Sequence, residues 1–336
     1  MNLLLEKWNE SVSLYKDRTA IVDYPEGQTE SGVSYTYAQV DAYAKRLAYR
    51  LRESGVKRGD FVTMEIPNSF TYFAGRFGVL MAGAAYVCLD DKMPEKRLSM
   101  IYEDCHPAAI INKAFLSTVK DDGPLLEETD FVQTEDTDPA FVLYTSGSTG
   151  TPKGVLHSVA SLSADIRRSL TRLDMRSPMI HAAFESVRFA PSVARQAALL
   201  TGSTVHIVPE NCRMDATKLS AFIDDKGIES IFVSPYLANM LDIRGDSLKY
   251  VYVAGSRISN VFSDRYTVCN EYGSSELGFF TSFPIDRPYP NTPIGKPALD
   301  TERLYLLDEN NHPADEGEIC VTGVFSDGYL SKHPPA

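Results

Sequence analysis

The apolar residues between Ser34 and Asp60 recur at the spacing of a single helix face. The positions are Val40, Tyr43, Ala44, Leu47, Ala48 and Leu51. Spacings of three and four residues predict an amphipathic α-helix that packs this face against a core. Gly55 is expected to end the helix, and Arg50 and Arg52 suit its last turn, where the helix dipole favours positive charge.

Short apolar runs and amphipathic segments then alternate along the chain. Strands are predicted at FVTMEI (61–66), AYVCLD (85–90) and AAIINK (108–113), with helices at YFAGRFGVLMAGA (72–84) and EKRLSMIYEDC (95–105). The alternation returns after residue 180 in AALLTGSTVHIV (197–208), KLSAFIDDKGIESIFVS (218–234) and SLKYVYVAGS (247–256). Such alternation predicts βαβ units, in which helices cover a parallel sheet, and hence an α/β fold.

The pattern changes near residue 284. Prolines punctuate the following segment at Pro284, Pro288, Pro290, Pro293 and Pro297. Residues 302–323 then predict a β-hairpin with its turn at Glu309–Gly317. We therefore expect an α/β core over residues 1–283 and a β-rich segment over residues 284–336.

Composition and charge narrow the classes of function. With 336 residues, of which 43% are hydrophobic, the chain can bury a substantial core. A net charge of −12 argues against a nucleic-acid binder or a polybasic membrane anchor. The five cysteines have neither CxxC nor zinc spacing, so we expect reduced thiols. Without a signal peptide or a run of about 20 apolar residues, a cytoplasmic protein is expected.

The segment YTSGSTGTPKG at residues 144–154 is too polar and glycine-rich to pack a core. Glycines let the backbone approach a ligand, hydroxyl groups add donors and Lys153 adds a cation, as in a phosphate-binding loop. It is not a Walker A loop, because Pro152 stands where the second glycine is required, and GxGxxG does not fit either. Ser146 in place of the first glycine excludes the GxSxG elbow. The alternative is a flexible Ser/Gly-rich loop.

This segment resembles the phosphate-loop signature of adenylate-forming enzymes, which include nonribosomal peptide synthetase adenylation domains, acyl-CoA synthetases and luciferases. Other segments resemble family motifs in the same order: AGAAYVCLDDKMPEKRLSMIYED (82–104), NEYGSSE (270–276), and GEICVTG with GYL (317–330). The first of these favours the peptide synthetase branch. The resemblance implies parallel-sheet βαβ core subdomains and the start of a small β-barrel, with the family's C-terminal lid absent.

The resemblance also implies ATP and Mg²⁺ as cofactors. In this family a carboxylate attacks the α-phosphorus of ATP, and the acyl group of the resulting adenylate passes to a thiol. The phosphates are then held by Thr145, Ser146, Gly147, Ser148, Thr149, Gly150 and Lys153. The adenine slot and α-phosphate contacts fall on Gly255, Asn270, Tyr272 and Ser275. The resemblance makes Glu276 the metal ligand, and Mg²⁺ prefers oxygen ligands such as its carboxylate. The candidate catalytic residues are Lys153, Ser275 and Glu276.

By the same resemblance, an acyl pocket is formed by Glu185, Ser186, Phe189, Tyr236, Tyr252, Ala254, Glu271, Phe279 and Phe280. In amino-acid-activating members an aspartate at the position of Glu185 pairs with the substrate ammonium. A partly buried carboxylate needs a cation, so Glu185 predicts an amino-acid substrate. The alternatives are an acyl- or aryl-CoA ligase fragment, whose substrate offers Glu185 no partner, and a nucleotide-binding module without catalysis.

The sequence departs from the family in three places. Val159 stands where the family has a histidine, and His157 lies two residues earlier. The connection over residues 256–273 leaves little room for the usual helix. The lid with its catalytic lysine is missing, so we expect a truncated core with weak activity alone. The expected thiol partner is the phosphopantetheine arm of a peptidyl carrier protein.

Overall fold

The computed structural model describes residues 2–24, 31–146 and 151–330, without the side chain of Ser146. Its α-helices are α1 Leu3–Tyr15, α2 Tyr37–Glu53, α3 Phe70–Met81, α4 Glu95–Cys105, α5 Lys113–Leu116, α6 Val159–Leu170, α7 Ala190–Gln196, α8 Glu210–Arg213, α9 Ala216–Asp225 and α10 Pro235–Ala238. Short 3-10 helices cover Glu128–Asp130, Leu173–Met175 and Ala197–Thr201. None of the helices in the described ranges is long and apolar enough to cross a membrane.

The strands alternate with these helices. They are β1 Thr19–Asp23, β2 Val33–Thr36, β3 Phe61–Glu65, β4 Ala85–Leu89, β5 Ala109–Ile111, β6 Pro139–Ser146, β7 Pro152–Ser158, β8 Ile180–Ala183, β9 Thr204–Ile207, β10 Ser230–Val233, β11 Tyr250–Val253, β12 Thr267–Ser274, β13 Gly278–Ile285, β14 Lys296–Pro297, β15 Arg303–Leu307, β16 Glu318–Thr322 and β17 Gly328–Tyr329. The α/β fold with parallel sheets is confirmed.

Helix α2 shows why the periodicity prediction held. The hydroxyl of Thr36 accepts the backbone N–H of Gln39, and the Gln39 side chain accepts the N–H of Thr36. This reciprocal capping box satisfies donors that the first helical turn leaves open. The apolar face is buried against α3, and Arg50 and Arg52 lie in the last turn, as predicted.

Two sheets carry the architecture. The larger has nine strands in the order β14-β13-β12-β11-β10-β8-β9-β1-β2. Its six neighbouring strands β12, β11, β10, β8, β9 and β1 run parallel. The smaller has six strands in the order β17-β7-β6-β4-β3-β5. Its parallel part joins β5, β3, β4 and β6, and β7 and β17 add antiparallel.

The glycine-rich segment is placed on a hairpin. Residues from Pro152 to Gly154, expected in a loop, instead begin β7, which pairs antiparallel with β6. Lys153 lies opposite Thr145 in the register of this hairpin. The tip at residues 147–150, with the predicted phosphate contacts of Gly147, Ser148, Thr149 and Gly150, lies outside the described residues.

The proline-punctuated segment returns to both sheets. β14 extends the larger sheet and β17 pairs with β7 of the smaller one. The predicted hairpin is confirmed as β15 and β16, with its turn between Leu307 and Glu318. Within the described residues these two strands form a separate two-stranded sheet and close no barrel. The division at residue 283/284 stays a prediction.

Candidate functional site

Three neighbouring parallel strands, β8, β10 and β11, end side by side at one cavity. The residues that follow them line a space of about 570 Å³. Ligand sites in open α/β sheets lie beyond the carboxyl ends of the strands. Of the predicted acyl-pocket residues, this cavity brings together Glu185, Ser186, Phe189, Ala254 and Phe279.

The lining residues that the sequence analysis missed include Phe184, Phe232 and Arg213. Phe184 and Phe232 add aromatic walls, and the guanidinium of Arg213 lies 5.4 Å from the ring centre of Phe184. Phe232 also contacts Phe279, with ring centres 5.5 Å apart. Phe232 lies on β10, and successive residues of a strand face opposite sides of the sheet. This alternation is the sequence signal that could have identified Phe232 as a lining residue.

Four predicted pocket residues do not line this cavity. Tyr236 lies on the short helix α10 with 75% of its surface exposed. Tyr252 is buried beneath the guanidinium of Arg172, 3.7 Å from its ring centre. Phe280 is buried against Phe325 because adjacent residues of a strand point to opposite faces. The structure does not place these three residues on the cavity, and their assignment to the acyl pocket stays a prediction.

Glu271 is the fourth, and it lies by a second cavity of about 210 Å³. Its carboxylate is 3.4 Å from the guanidinium of Arg172. Burial raises the pKa of Glu271 to about 7, against the lowering effect of Arg172. Phe279 lines both cavities and separates Glu271 from the larger one.

The expectation that Glu185 lacks a cation within the protein is wrong. Arg195, on α7, donates from Nε to Oε1 of Glu185 at 3.0 Å. The backbone N–H of Phe184 donates to Oε2, also at 3.0 Å. Ten residues separate the two partners, and the intervening chain folds into a helix that faces Glu185. The physical argument for a substrate ammonium at Glu185 therefore no longer holds.

A buried chain of charges continues from this pair. Arg195 lies 2.9 Å from Nδ1 of His181 and 3.9 Å from Asp174. Asp174 accepts the hydroxyl of Ser230 at 2.6 Å and pairs with Arg172 at 3.2 Å. Burial opposes ionisation of Asp174, yet Arg172, Arg195 and the hydrogen bond from Ser230 lower its pKa to about 2. The chain reaches from the larger cavity to Glu271.

The two nucleotide motifs meet at Tyr329. The Tyr329 hydroxyl donates to Oε1 of Glu276 at 2.9 Å, and Nζ of Lys153 lies 5.7 Å from the centre of the same ring. β17 brings Tyr329 beside β7, which carries Lys153. The hydrogen bond to Glu276 raises the pKa of Tyr329, so the hydroxyl stays a donor. Residues far apart in sequence, Lys153 and Glu276, thus share one surface.

The turn from β12 to β13 shapes the NEYGSSE segment. A side chain on Gly273 would meet the carbonyl oxygen of Gly278 at 1.8 Å, so only glycine fits. The hydroxyl of Ser274 accepts the backbone N–H groups of Glu276 and Leu277, both at 3.3 Å. Ser275 lines the larger cavity from this turn.

His157 holds the same turn and was left without a role by the sequence analysis. Its Nε2 donates to the carbonyl of Ser275 at 2.8 Å, and its Nδ1 lies 2.7 Å from the hydroxyl of Ser161. The ring stacks on Phe141 with centres 4.2 Å apart. Burial lowers the pKa of His157 to about 4, so the ring is neutral near pH 7. It is a positioning residue for Ser275.

This arrangement predicts how stability depends on pH. Between pH 6.5, the ordinary histidine pKa, and about pH 4, His157 is protonated in the unfolded chain but neutral in the folded protein. His157 therefore destabilises the fold by up to about 1.4 kcal/mol per pH unit in that window. In His157→Gln we expect a stability deficit at pH 7 that shrinks as pH falls to 4.5. Denaturant unfolding at several pH values measures it, and a constant difference would contradict the assignment.

The remaining predicted nucleotide residues lie around this turn. Gly255 lines the larger cavity with φ at 89°, a conformation that favours glycine. The side-chain amide of Asn270 donates to the carbonyl of Pro293 at 2.8 Å, a hydrogen bond that joins β12 to the β13–β14 connection. Tyr272, two residues further along β12, is partly exposed. Residues 254–266 contain no helix, in keeping with the short connection.

The oxygen donors near Glu276 limit which metal ion the site could hold. Within the described ranges no group of three or more His, Cys, Asp or Glu side chains could hold a metal ion. Glu276 presents one carboxylate, whose Oε1 is taken by Tyr329. Mg²⁺ is commonly held by one or two carboxylates together with substrate phosphates, so a single carboxylate fits that ion.

Comparisons with known proteins agree on one family. A family model described as AMP-binding enzyme matches residues 8–330. Bacitracin synthase 1 of Bacillus licheniformis is 29% identical over 98% of this chain, which spans 7% of that protein. Tyrocidine synthase 3 of Brevibacillus parabrevis is 30% identical over 90% of this chain, which spans 5% of it. The chain is thus a small part of the length of these relatives.

Solved structures show the same fold. The nonribosomal peptide synthetase FmoA3 in its AMPPNP-bound form matches with a TM-score of 0.82 and 24% identity, over 98% of this chain and 38% of that one. The N-terminal subdomain of Klebsiella oxytoca NpsA, in complex with 3-hydroxyanthranilyl-AMSN, matches with a TM-score of 0.82 and 20% identity, over 100% of this chain and 91% of that one.

Proposed function

The chain belongs to the AMP-binding enzyme family, and from this we propose that it activates a carboxylate substrate with ATP, releasing pyrophosphate and forming an acyl-adenylate. The observation that carries the proposal is the meeting of Lys153 and Glu276 at Tyr329. A cation and an oxygen ligand on one surface suit the phosphates of ATP. The aromatic cavity beside Ser275 suits the acyl part.

The reaction brings two anions together, so its main demand is positioning and charge stabilisation. We assign Lys153 to the β- and γ-phosphates and Ser275 to the α-phosphate. The substrate carboxylate attacks the α-phosphorus from the cavity while pyrophosphate leaves towards Lys153. Tyr329 orients the carboxylate of Glu276 through its hydrogen bond.

The adenine is assigned to the region of Gly255, Asn270 and Tyr272. Glu276 is the residue that would hold Mg²⁺, which when bound neutralises phosphate charge. The phosphate contacts of Thr145 and Ser146 belong to the same proposal. The hydroxyl of Thr145 lies 3.5 Å from the carbonyl of Lys153 across the hairpin, which keeps the base of the segment closed.

The acyl group is proposed to pass to the phosphopantetheine thiol of a carrier protein, as the similarity to peptide synthetases suggests. The prediction of an amino-acid substrate relied on an unpaired Glu185. Because Arg195 pairs with Glu185, the same observation removes the objection to the alternative, an acyl- or aryl-CoA ligase. Both alternatives share adenylate formation and differ in the acceptor thiol and in the acid.

The variant Lys153→Ala tests whether Lys153 contacts the β- and γ-phosphates, which ATP has and AMP lacks. We expect it to weaken binding of ATP by about tenfold or more, the loss of one charge-assisted hydrogen bond, and to leave AMP affinity nearly unchanged. Titration calorimetry with ATP and AMP in the presence of Mg²⁺ measures both. Lys96→Ala, at an exposed lysine, is the matched control. An equal loss for ATP and AMP would contradict the assignment.

A further inference from the structure

The carboxylate of Glu185 is fully engaged inside the protein. Each oxygen accepts a hydrogen bond at 3.0 Å, one from Arg195 and the other from the backbone of Phe184. Only 3% of the Glu185 side chain is exposed. The charge and the geometry of this group are therefore satisfied before any ligand enters.

Arg195 has no route by which to leave Glu185. Its side chain is 1% exposed, and its other contacts, His181 and Asp174, are themselves buried. Moving the guanidinium aside for a ligand would leave buried carboxylates without a cation, which is strongly unfavourable. Glu185, which lines the cavity, therefore stays paired with Arg195 in every state that keeps this fold.

Every carboxylate of the buried cluster already faces an arginine of this chain. Arg172 pairs with Asp174, and Arg195 pairs with Glu185. Neutral groups complete it: His181, Tyr252 and Ser230. Glu271, the third carboxylate, faces Arg172 and the smaller cavity. An ammonium at Glu185 would have to compete with Arg195 and the Phe184 N–H for oxygens that already accept hydrogen bonds.

The residues that line the cavity also disfavour a cationic substrate. Its one further charged residue among those described is Arg213, which has no carboxylate within ion-pair distance in the described part of the chain. The other walls include the rings of Phe184, Phe189, Phe232 and Phe279. A positive side chain above apolar rings disfavours a cationic substrate.

From this geometry we infer that the acid activated at this site carries no α-ammonium group, and that Arg195 is the specificity-determining residue because it occupies the place of that cation on Glu185. The inference rests on the proposed function and narrows its substrate class to aryl or aliphatic acids without an amine. The apolar cavity of about 570 Å³ offers such an acid its walls.

Matched acyl-adenylate analogues test this on the chain itself, since they need binding but no turnover. The pairs are phenylalanyl- and 3-phenylpropanoyl-sulfamoyladenosine, and leucyl- and 4-methylpentanoyl-sulfamoyladenosine, with sulfamoyladenosine as the reference. Calorimetry should give at least about tenfold tighter binding for the member without the amine in the better-fitting pair, the size of one charge-assisted interaction. Equal or tighter binding of the amino member overturns the inference.

The reference compound separates the two proposals. If sulfamoyladenosine binds and no acyl group adds affinity, the cavity is not the acyl site and the inference is wrong, while nucleotide binding stands. If neither sulfamoyladenosine nor ATP binds, the proposed function itself is wrong.

Two variants distinguish specificity from structure. Glu185→Gln, which keeps the shape of the side chain, should leave the ratio of the two affinities unchanged, because Glu185 does not read the amine. Arg195→Met should shift the ratio towards the amino member by about tenfold, because it frees Glu185. A purely structural role of Arg195 would weaken both members alike. If Arg195→Met does not fold, a shifted ratio in Glu185→Gln still overturns the inference.

Discussion

Arg168→Met is expected to lower the free energy of unfolding by about 3–5 kcal/mol, because it leaves buried carboxylates without their cation. Arg168 on α6 pairs with Asp165 at 2.6 Å and Glu302 at 2.7 Å. Its guanidinium also donates to the carbonyls of Leu277 and Val324. One side chain thus ties α6 to the β12–β13 turn and to the segment after β16.

The loss should depend on pH. Burial raises the pKa of Asp165 to about 7 even with Arg168 beside it, so without the cation the pKa of Asp165 rises further. The folded variant then holds a proton that the unfolded chain releases. The difference in free energy of unfolding between the wild type and the variant therefore shrinks as pH falls from 8 to 5. Denaturant unfolding at both pH values measures this. Arg167→Met, at the exposed neighbour on the same helix, is the control. Equal effects of the two variants would contradict the account.

Gly273→Ala is the second variant with a large expected effect. The added methyl would lie 1.8 Å from the carbonyl oxygen of Gly278, which is backbone and cannot rotate away. The two strands would have to separate at the turn that carries Ser275 and Glu276. We expect a loss of about 3 kcal/mol in the free energy of unfolding and weaker ATP binding.

Gly227→Ala is the matched control for this substitution. Gly227 has φ at 61°, but nothing lies within 4 Å of the added methyl. Its cost should be about 1 kcal/mol, from backbone conformation alone, with ATP binding unchanged. If the two alanine variants lose the same stability, crowding at Gly273 does not shape the turn.

Local patterns allowed much of the fold to be predicted. The face of α2 and the hairpin of β15 and β16 follow from spacing, capping and turn residues close together in sequence. β7 was missed because Pro152 and Gly154 are typical of loops. Its strand conformation comes from pairing with β6 on one side and β17 on the other, and the second partner lies far along the chain.

The candidate site was predictable where it follows from motifs and unpredictable where it depends on side-chain direction. Lys153 and Glu276 were named from their motifs, but their meeting at Tyr329 requires the strand pairing of β17. The pairing of Glu185 with Arg195 follows from how α7 packs on the sheet, which no local pattern encodes. Family position alone likewise placed Tyr252 in the pocket, whereas Arg172 covers its ring.

The central claim, ATP-dependent activation of a carboxylate, is tested most directly by exchange of labelled pyrophosphate into ATP. Exchange is measured on the chain itself and on the chain fused to the C-terminal lid of a related synthetase, where the resemblance places a catalytic lysine. The account predicts exchange that requires a carboxylic acid and Mg²⁺ and that falls sharply in Lys153→Ala. A fused protein that binds ATP but exchanges no pyrophosphate with any acid, with or without an amine, would contradict it.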